Sequence, residues 1–163
     1  MNILLRDVIE DDLPIFFEQQ QDSQANYMAA FTAESPSDRD AFMAHWEKIL
    51  SKDTSITKTI LAEEKVVGHV LSFEQFGNSE VSYWLGREHW GKGIATIALA
   101  MFLDLVEVRP LYARAVKDNL GSVRVLEKCG FAIVGEDKGF ANARGQEVEE
   151  FILKLETDAK ADT

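Results

Sequence analysis

A glycine turn directly before an apolar helix pattern is the segment whose residue types and spacing could most readily do chemistry. Gly91 and Gly93 let the backbone approach a ligand closely and adopt torsions that other residues resist. The residues that follow place apolar side chains at helical spacing, namely Ile94, Ile97, Ala98, Met101, Phe102 and Leu105. Since the first turn of a helix carries unpaired N–H groups and a partial positive charge, the segment predicts a phosphate or pyrophosphate site.

The turn by itself is not specific, because a Gly-x-Gly sequence also occurs in tight turns that bind nothing. Only two glycines lie in the turn, so the full dinucleotide-binding pattern is missing. The sequence contains no Gly-Lys-Ser or Gly-Lys-Thr, which disfavours a Walker-type ATPase. A mononucleotide-binding protein that uses this turn is an alternative, and it predicts competition by nucleotides.

The elements that position the turn form a mixture of strands and helices. Apolar runs bounded by polar turns predict strands over residues 3–6, 55–62, 66–73, 80–85, 111–116, 131–134 and 148–155. Helical spacing and capping residues predict helices that begin near Asp11 and Ser37, a helix over 94–105, and a helix between an Asn119 cap and Gly130. We therefore expect an α/β (α+β) fold with a mixed sheet of about seven strands and about four flanking helices.

Length and composition indicate one soluble domain. The chain has 163 residues, of which 46% are apolar and 28% charged, enough for a hydrophobic core of its own. We expect a single domain over residues 1–155 and a small polar tail over 156–163. No apolar stretch reaches the roughly 18 residues of a membrane span, no basic apolar leader is visible, and a single cysteine cannot form an internal disulfide. These features predict a cytoplasmic protein that does not act at a membrane.

The net charge of −11 bears on the partner. An acidic chain repels phosphates, so nucleic-acid binding is not expected, whereas a cationic amine would be attracted. Many soluble proteins are acidic for solubility alone, so the charge does not identify the substrate. No group of His, Cys and Asp residues has metal-ligand spacing, and we expect no metal.

Two motifs together resemble the GNAT superfamily of N-acetyltransferases. Trp90-Gly91-Lys92-Gly93-Ile94-Ala95 resembles its pyrophosphate-binding signature, usually Gln/Arg-x-x-Gly-x-Gly/Ala, with Trp90 in place of Gln or Arg. Residues 119–131, Asn-Leu-Gly-Ser-Val-Arg-Val-Leu-Glu-Lys-Cys-Gly-Phe, resemble the Asn-x-x-Ser…Glu-Lys-x-Gly-Phe helix of the ribosomal-protein N-terminal (alanine) acetyltransferase branch. Because both motifs occur in the family's order with a strand between them, the chain is identified as a member of this superfamily.

The resemblance implies a sheet whose two central parallel strands splay apart, with acetyl-CoA in the gap. The backbone of Trp84, Leu85 and Gly86 would bind the pantetheine arm of the cofactor. The turn and the start of the helix would hold the pyrophosphate, through Trp90, Gly91, Lys92, Gly93, Ile94, Ala95 and Thr96. Asn119 and Ser122 would complete the cofactor site, although Asn119 could serve only as a helix cap and Lys92 only as a solvated lysine.

Acetyl transfer to an amine requires a base, since an amine with a pKa near roughly 10.4 is protonated at neutral pH. By resemblance, Glu80 is the candidate base, and its alternative is a solvent-facing strand residue. Many family members carry a tyrosine four residues before the helix-ending glycine, but this chain has Leu126 there. Ser122 is therefore the candidate donor to the leaving thiolate, and its alternative is an ordinary serine in the first turn of a helix.

The expected activity is transfer of the acetyl group of acetyl-CoA to a primary amine, on a protein N-terminus or a small molecule, by direct attack in a ternary complex. A protein that binds acetyl-CoA as a sensor without catalysis is the alternative. The missing tyrosine slightly favours it, whereas Ser122 and Glu80 count against it. Two loops, 22–36 and 138–146, are expected to meet the acceptor through Tyr27, Phe31, Glu34, Phe140, Asn142 and Arg144. The residues do not distinguish a monomer from a homodimer.

Overall fold

The chain folds around one seven-stranded sheet, described by a computed structural model over residues 1–156. The strands are β1 (Ile3–Asp7), β2 (Ile56–Ala62), β3 (Lys65–Gln75), β4 (Asn78–Leu85), β5 (Leu111–Val116), β6 (Ala132–Ala141) and β7 (Gln146–Leu155). Their order in the sheet is β1-β2-β3-β4-β5-β7-β6. Neighbouring strands are antiparallel except for β4 and β5, which are parallel, so the sheet is mixed as predicted. The predicted polar tail lies outside the described residues, except for Glu156.

Helices cover both faces of the sheet. They are α1 (Leu13–Gln19), α2 (Ser23–Ala29), α3 (Arg39–Leu50), α4 (Ile94–Leu105) and α5 (Leu120–Lys128). On one face α4 and α5 pack on the main core, to which α4 contributes Ile94, Ala98, Leu99, Phe102 and Leu103. On the other face, Phe16 of α1 and Trp46 of α3 enclose the ring of His69 on β3, with ring centroids 4.6 and 4.9 Å from it.

The centre of the sheet is open at one end. β4 and β5 are paired in register only at Glu80 and Tyr112, near their N-terminal ends. Beyond that point β4 keeps its partner β3, with Leu85 opposite Gly68, while β5 is paired with β7. The two parallel strands therefore diverge toward their C-terminal ends, and the predicted central splay is confirmed.

Two details of the predicted architecture are wrong. The segment 22–36 is expected to be a loop, but it contains α2, which brings the helices to five where about four are expected. The segment 138–146 was also expected to be a loop, but β6 runs to Ala141 and β7 begins at Gln146. α2 starts after Asp22, whose side chain caps the helix by accepting a hydrogen bond from the Ala25 N–H at 2.9 Å. β6 is exposed along most of its length, so no apolar alternation announces it.

Candidate active site

The glycine turn presents free backbone N–H groups. Gly91 and Gly93 have φ of 75° and 80°, the left-handed region that favours glycine. Apart from its chain neighbours, a Cβ placed on either glycine would meet no protein atom within 4 Å, so open space lies in front of the turn. The first hydrogen bond of α4 runs from the Ile97 N–H to the Gly93 carbonyl at 3.2 Å, which leaves the amides at the start of the helix without an intrahelical acceptor.

Capping distinguishes α4 from the other helices that line the cleft. α2, α3 and α5 each begin at a residue whose side chain accepts a backbone N–H, namely Asp22, Asp38 and Asn119. α4 begins at Gly93, which has no side chain to do this. A ligand anion is therefore able to take the place of the cap, and this start of a helix fits the pyrophosphate of a coenzyme.

Trp90 and Lys92 differ in how they relate to the turn. The Trp90 indole N–H donates to the Leu85 carbonyl at 2.9 Å, which ties the turn to the end of β4. Trp90 therefore positions the turn with its only polar group and can meet a ligand through its ring. Lys92 is exposed, does not line the cleft and makes no ion pair within the described part of the chain.

The end of β4 presents backbone groups to the gap in alternation. The Gly86 N–H donates to the Val67 carbonyl on the β3 side at 2.9 Å, and Trp84 lies opposite His69 in the same register. Because neighbouring residues of a strand direct their N–H and C=O groups to opposite sides, Tyr83 and Leu85 direct theirs away from β3 and toward the gap, where the Leu85 carbonyl already accepts the Trp90 indole N–H. Of the three strand residues predicted to hold pantetheine, Trp84 and Leu85 line the cleft and Gly86 does not.

Asn119 closes the start of α5 and also reaches α2. Its Oδ1 accepts the Ser122 N–H at 3.2 Å, and its Nδ2 donates to the Met28 carbonyl at 3.3 Å. The predicted helix cap is confirmed. Since both polar atoms of the side chain have protein partners, Asn119 ties the cofactor motif to the helix on the other side of the cleft.

Ser122 has a partner that sequence reasoning missed. The Tyr83 hydroxyl donates to Ser122 Oγ at 3.3 Å, and both residues line the cleft. Burial raises the pKa of Tyr83, against a smaller lowering by the hydrogen bond with Ser122. The expected tyrosine position is filled by Leu126, which is buried in the core. Alternation along β4 puts Tyr83 on the face of Val81 and Leu85, but nothing local in the sequence shows that this face meets Ser122.

Glu80 is buried rather than solvent-facing, so the alternative that treated it as an exposed strand residue is wrong: it is 5% exposed. Gln75 Nε2 donates to one carboxylate oxygen at 3.2 Å, and Arg114 Nε lies 3.7 Å from the other. Burial raises the pKa of Glu80, although the Arg114 charge and the Gln75 hydrogen bond act in the opposite direction. A carboxylate with a raised pKa is suited to accept a proton.

Arg114 is surrounded by more acidic groups than it neutralises. Its guanidinium lies 2.7 Å from Glu150 and 3.0 Å from Asp137, besides the contact with Glu80. The Phe76 ring packs 5.3 Å from the guanidinium carbon. This arrangement leaves an acidic surplus beside Glu80, which the sequence could not reveal because the acidic residues come from three different strands.

One cleft joins the predicted residues. It has a volume of about 1880 Å³, larger than the roughly 300–1,000 Å³ of a typical small-molecule pocket. Of the predicted site residues, it is lined by Glu80, Trp84, Leu85, Trp90, Gly91, Gly93, Ile94, Ala95, Thr96, Asn119 and Ser122, but not by Gly86 or Lys92. The cleft is also lined by two exposed cations of α5, Arg124 and Lys128, which the motifs in the sequence do not single out.

The two segments expected to meet the acceptor contact one another. Asn142 Nδ2 donates to the Thr32 carbonyl at 2.8 Å, and Arg144 Nε donates to the Tyr27 carbonyl at 2.7 Å. The Arg144 guanidinium also stacks 3.9 Å over the Tyr27 ring. Of the six residues expected to meet the acceptor, only Phe31 lines the cleft, and the segment 138–146 lines it through Lys138 and Gly139 instead.

Within residues 1–156, no three His, Cys, Asp or Glu side chains are grouped so that they could hold a metal ion. None of the helices in that range is both long and apolar enough to span a membrane.

Comparisons with known proteins agree with this geometry. An acetyltransferase (GNAT) domain family model matches residues 2–132. An uncharacterized N-acetyltransferase, p20, of Bacillus licheniformis is 27% identical over 86 residues, which are 50% of this chain and 48% of that protein. The chain thus spans about half the length of the curated relatives it matches.

Solved structures show the same fold at low sequence identity. The ribosomal-protein-alanine N-acetyltransferase of Brucella melitensis superposes with a TM-score of 0.79 at 21% identity, covering 94% of this chain and 99% of that one. The spermidine N-acetyltransferase of Vibrio cholerae, solved with CoA and spermine, superposes with a TM-score of 0.76 at 20% identity, covering 94% and 95%. With the family match over most of its length, the chain belongs to the GNAT acetyltransferase domain family.

Proposed function

We propose that the protein transfers the acetyl group of acetyl-CoA to a primary amine by direct attack in a ternary complex. The observation that carries the proposal is the gap between β4 and β5, which opens beside the uncapped start of α4 and has Glu80 on one side and Ser122 on the other. When bound, acetyl-CoA supplies a thioester carbonyl to attack and a thiolate to leave. The neighbouring family members solved with CoA support this donor.

Donor binding rests on backbone groups in this proposal. The amides that follow Gly93 hold the pyrophosphate, since no side chain caps them. The gap-facing backbone of Tyr83 and Leu85 meets the pantetheine arm. Arg124 and Lys128 of α5 add positive charge near the phosphate on the ribose of the coenzyme.

Glu80 and Ser122 divide the acid–base work. Glu80 takes a proton from the ammonium form of the acceptor, and burial favours its protonated state. Ser122 Oγ–H donates a hydrogen bond to the sulfur as the carbon–sulfur bond breaks. Glu80 lies on one face of the sheet and Ser122 lies against Tyr83 on the other, so base and donor approach the reacting carbonyl from different sides.

The acceptor is a cationic primary amine. The carboxylates of Glu80, Asp137 and Glu150 outnumber the single Arg114 cation between them, so a positively charged acceptor is attracted to this end of the cleft. Two chemical classes satisfy the site, a small polyamine and a protein N-terminus, and the structural neighbours are named for one of each.

Thermal unfolding with and without acetyl-CoA tests donor binding, with ATP and NAD as controls. A ligand at about 100 times its Kd stabilises the fold by roughly 2.7 kcal/mol, which shifts the midpoint by about 5–10 °C in a domain of this size. A shift with ATP or NAD but not acetyl-CoA would overturn the proposed donor.

Turnover with spermidine and with an alanine-terminated peptide, measured as released CoA thiol, then distinguishes the two acceptor classes. Binding of acetyl-CoA without turnover of any amine would instead support the sensor alternative.

A further inference from the structure

The hydrogen bond between Tyr83 and Ser122 joins two walls of the cleft. Tyr83 belongs to β4 and Ser122 to the first turn of α5, and their hydroxyl oxygens lie 3.3 Å apart. The bond thus connects β4, one of the two diverging strands, to α5, the helix that follows the second diverging strand β5. It lies beside the part of β4 where pairing with β5 has ended.

The surroundings of Tyr83 hold its hydroxyl in place. The ring packs against the main core beside Val81 and Leu85, so its position is fixed by apolar contacts. Tyr83 is partly buried and lines the cleft, and within the described chain its hydroxyl donates to Ser122 Oγ. Ser122 Oγ is thus the acceptor that the described chain offers to the phenol O–H.

The surroundings of Ser122 leave its own proton free. A serine hydroxyl has one donor and two acceptor positions. Tyr83 occupies an acceptor position, and the Ser122 backbone N–H is held by Asn119 Oδ1 at 3.2 Å. The serine is therefore oriented at its backbone by one residue and at its oxygen by another, while its O–H can point into the cleft.

We propose that Tyr83 is a positioning residue that aims the Ser122 O–H at the sulfur of the thioester, in place of the tyrosine that Leu126 replaces on α5. This inference rests on the proposed function. In the transfer step a bond forms between the amine nitrogen and the carbonyl carbon, and the carbon–sulfur bond breaks with its electron pair on sulfur. Glu80 has by then accepted the proton of the ammonium form, and the second proton that nitrogen loses goes to the departing sulfur, which leaves as the thiol. Ser122 stabilises the thiolate as it forms, while Tyr83 keeps its proton.

Retention of the Tyr83 proton is consistent with its surroundings. Burial, which raises the pKa of Tyr83, disfavours the phenolate. Tyr83 therefore acts by orienting and polarising Ser122 rather than by giving up a proton.

Steady-state kinetics of Tyr83→Phe, Ser122→Ala and the double variant test the arrangement. Loss of one hydrogen bond predicts a decrease in kcat of about 3- to 10-fold for Tyr83→Phe, with the KM for acetyl-CoA within about twofold. Because Tyr83 acts through Ser122, the double variant should be no slower than Ser122→Ala alone. Tyr112→Phe is the matched control, since Tyr112 does not line the cleft, and it should keep the wild-type kcat.

A second measurement does not need turnover. The thiol of CoA bound to the protein is titrated by the ultraviolet absorbance of its thiolate. Stabilisation of the thiolate predicts a bound thiol pKa below that of free CoA, and Tyr83→Phe and Ser122→Ala should each raise it by up to about one unit, a tenfold change in acidity.

The outcomes separate this inference from the proposed function. A wild-type protein that lowers the thiol pKa but acetylates no amine would overturn the proposed function and retain the thiolate site. Two results with an active protein would overturn the role of Tyr83. In one, Tyr83→Phe changes neither kcat nor the thiol pKa. In the other, the double variant is slower than Ser122→Ala alone. Failure of CoA to bind would overturn both.

Discussion

Glu80 and Tyr83 stand on the same strand, yet their side chains leave it on opposite faces of the sheet, one toward Arg114 and the other toward Ser122. The strand between them borders the gap where β4 and β5 separate. A group in that gap is therefore exposed to a carboxylate from one face and to a hydroxyl pair from the other. This relationship makes the roles of the two residues separable by mutation.

Replacement of Gly93 by valine should abolish acetyl-CoA binding. A β-branched residue resists a φ of 80°, and its side chain would enter the open space in front of the turn. The thermal shift with acetyl-CoA is expected to disappear. Gly145→Val is the matched control, because Gly145 also has a left-handed φ, 65°, and open space around it, but does not line the cleft. A normal shift in Gly93→Val would exclude the turn as the phosphate site.

Glu80→Gln should lower kcat/KM for the amine by about 10²- to 10⁴-fold near neutral pH. The deficit should shrink as the pH approaches the amine pKa of roughly 10.4, where free amine needs no base. Since burial raises the pKa of Glu80, wild-type activity should fall with decreasing pH through a value above that of an ordinary glutamate. Glu74→Gln, an exposed carboxylate in the same cleft, serves as the control. Equal pH profiles for wild type and Glu80→Gln would remove Glu80 from the mechanism.

Asn119→Ala should weaken both the fold and donor binding. Loss of a helix cap costs about 1 kcal/mol, or a Tm decrease of about 2–4 °C in a domain of this size. Asp38→Ala removes the equivalent cap of α3 and should cost a similar Tm decrease. Only Asn119→Ala should also reduce acetyl-CoA affinity, because Asn119 holds the first turn of α5 and α2 together. Equal affinities in the two variants would assign Asn119 a capping role alone.

Asp12 should contribute a pH-dependent part of the stability. It is 2% exposed and accepts hydrogen bonds from both Arg6 Nη atoms, at 2.7 and 2.8 Å, and from Thr59 at 2.6 Å. Burial alone would raise the pKa of Asp12, but these bonds and one from the Ile9 N–H give a net lowering. A lowered folded pKa means that the contribution is complete above roughly pH 3.9 and is lost as the pH falls through the folded value.

Asp12→Asn should therefore lower the Tm at neutral pH and flatten its decline in acid. The cost is at most about 3–5 kcal/mol, reduced because Arg6 is 36% exposed. Asp7→Asn, which changes an exposed carboxylate paired with Lys58, should have little effect. Equal Tm profiles for Asp12→Asn and the wild type would contradict the assignment.

Local signals explain what the sequence predicted of the fold and the site. The turn at Gly91 and Gly93, the apolar stripe of α4 and the Asn119 cap are each determined by neighbouring residues, and each was predicted. α2 was missed because its short sequence has only one buried residue, Ala25. The far half of β6 was missed because it is held by pairing with β7 rather than by apolar alternation.

Long-range contacts explain what the sequence could not predict of the site. Tyr83 meets Ser122 across 39 positions, and Arg114 meets Glu150 across 36. Neither pairing has a pattern in the chain, since it depends on which strands become neighbours. Burial of Glu80 follows from the same cause.

The single register pair between Glu80 and Tyr112 has a mechanical consequence. Because β4 and β5 are paired only there, the two halves of the sheet are joined at one point. Beyond it, each strand is held by its outer neighbour, β4 by β3 and β5 by β7. A ligand whose amides pair with the free edge of β4 would take the place of a strand between β4 and β5 and restrict their relative motion. Hydrogen exchange of the Tyr83 and Leu85 backbone amides should then slow when acetyl-CoA is bound. Donor binding would in this way make the whole sheet more rigid.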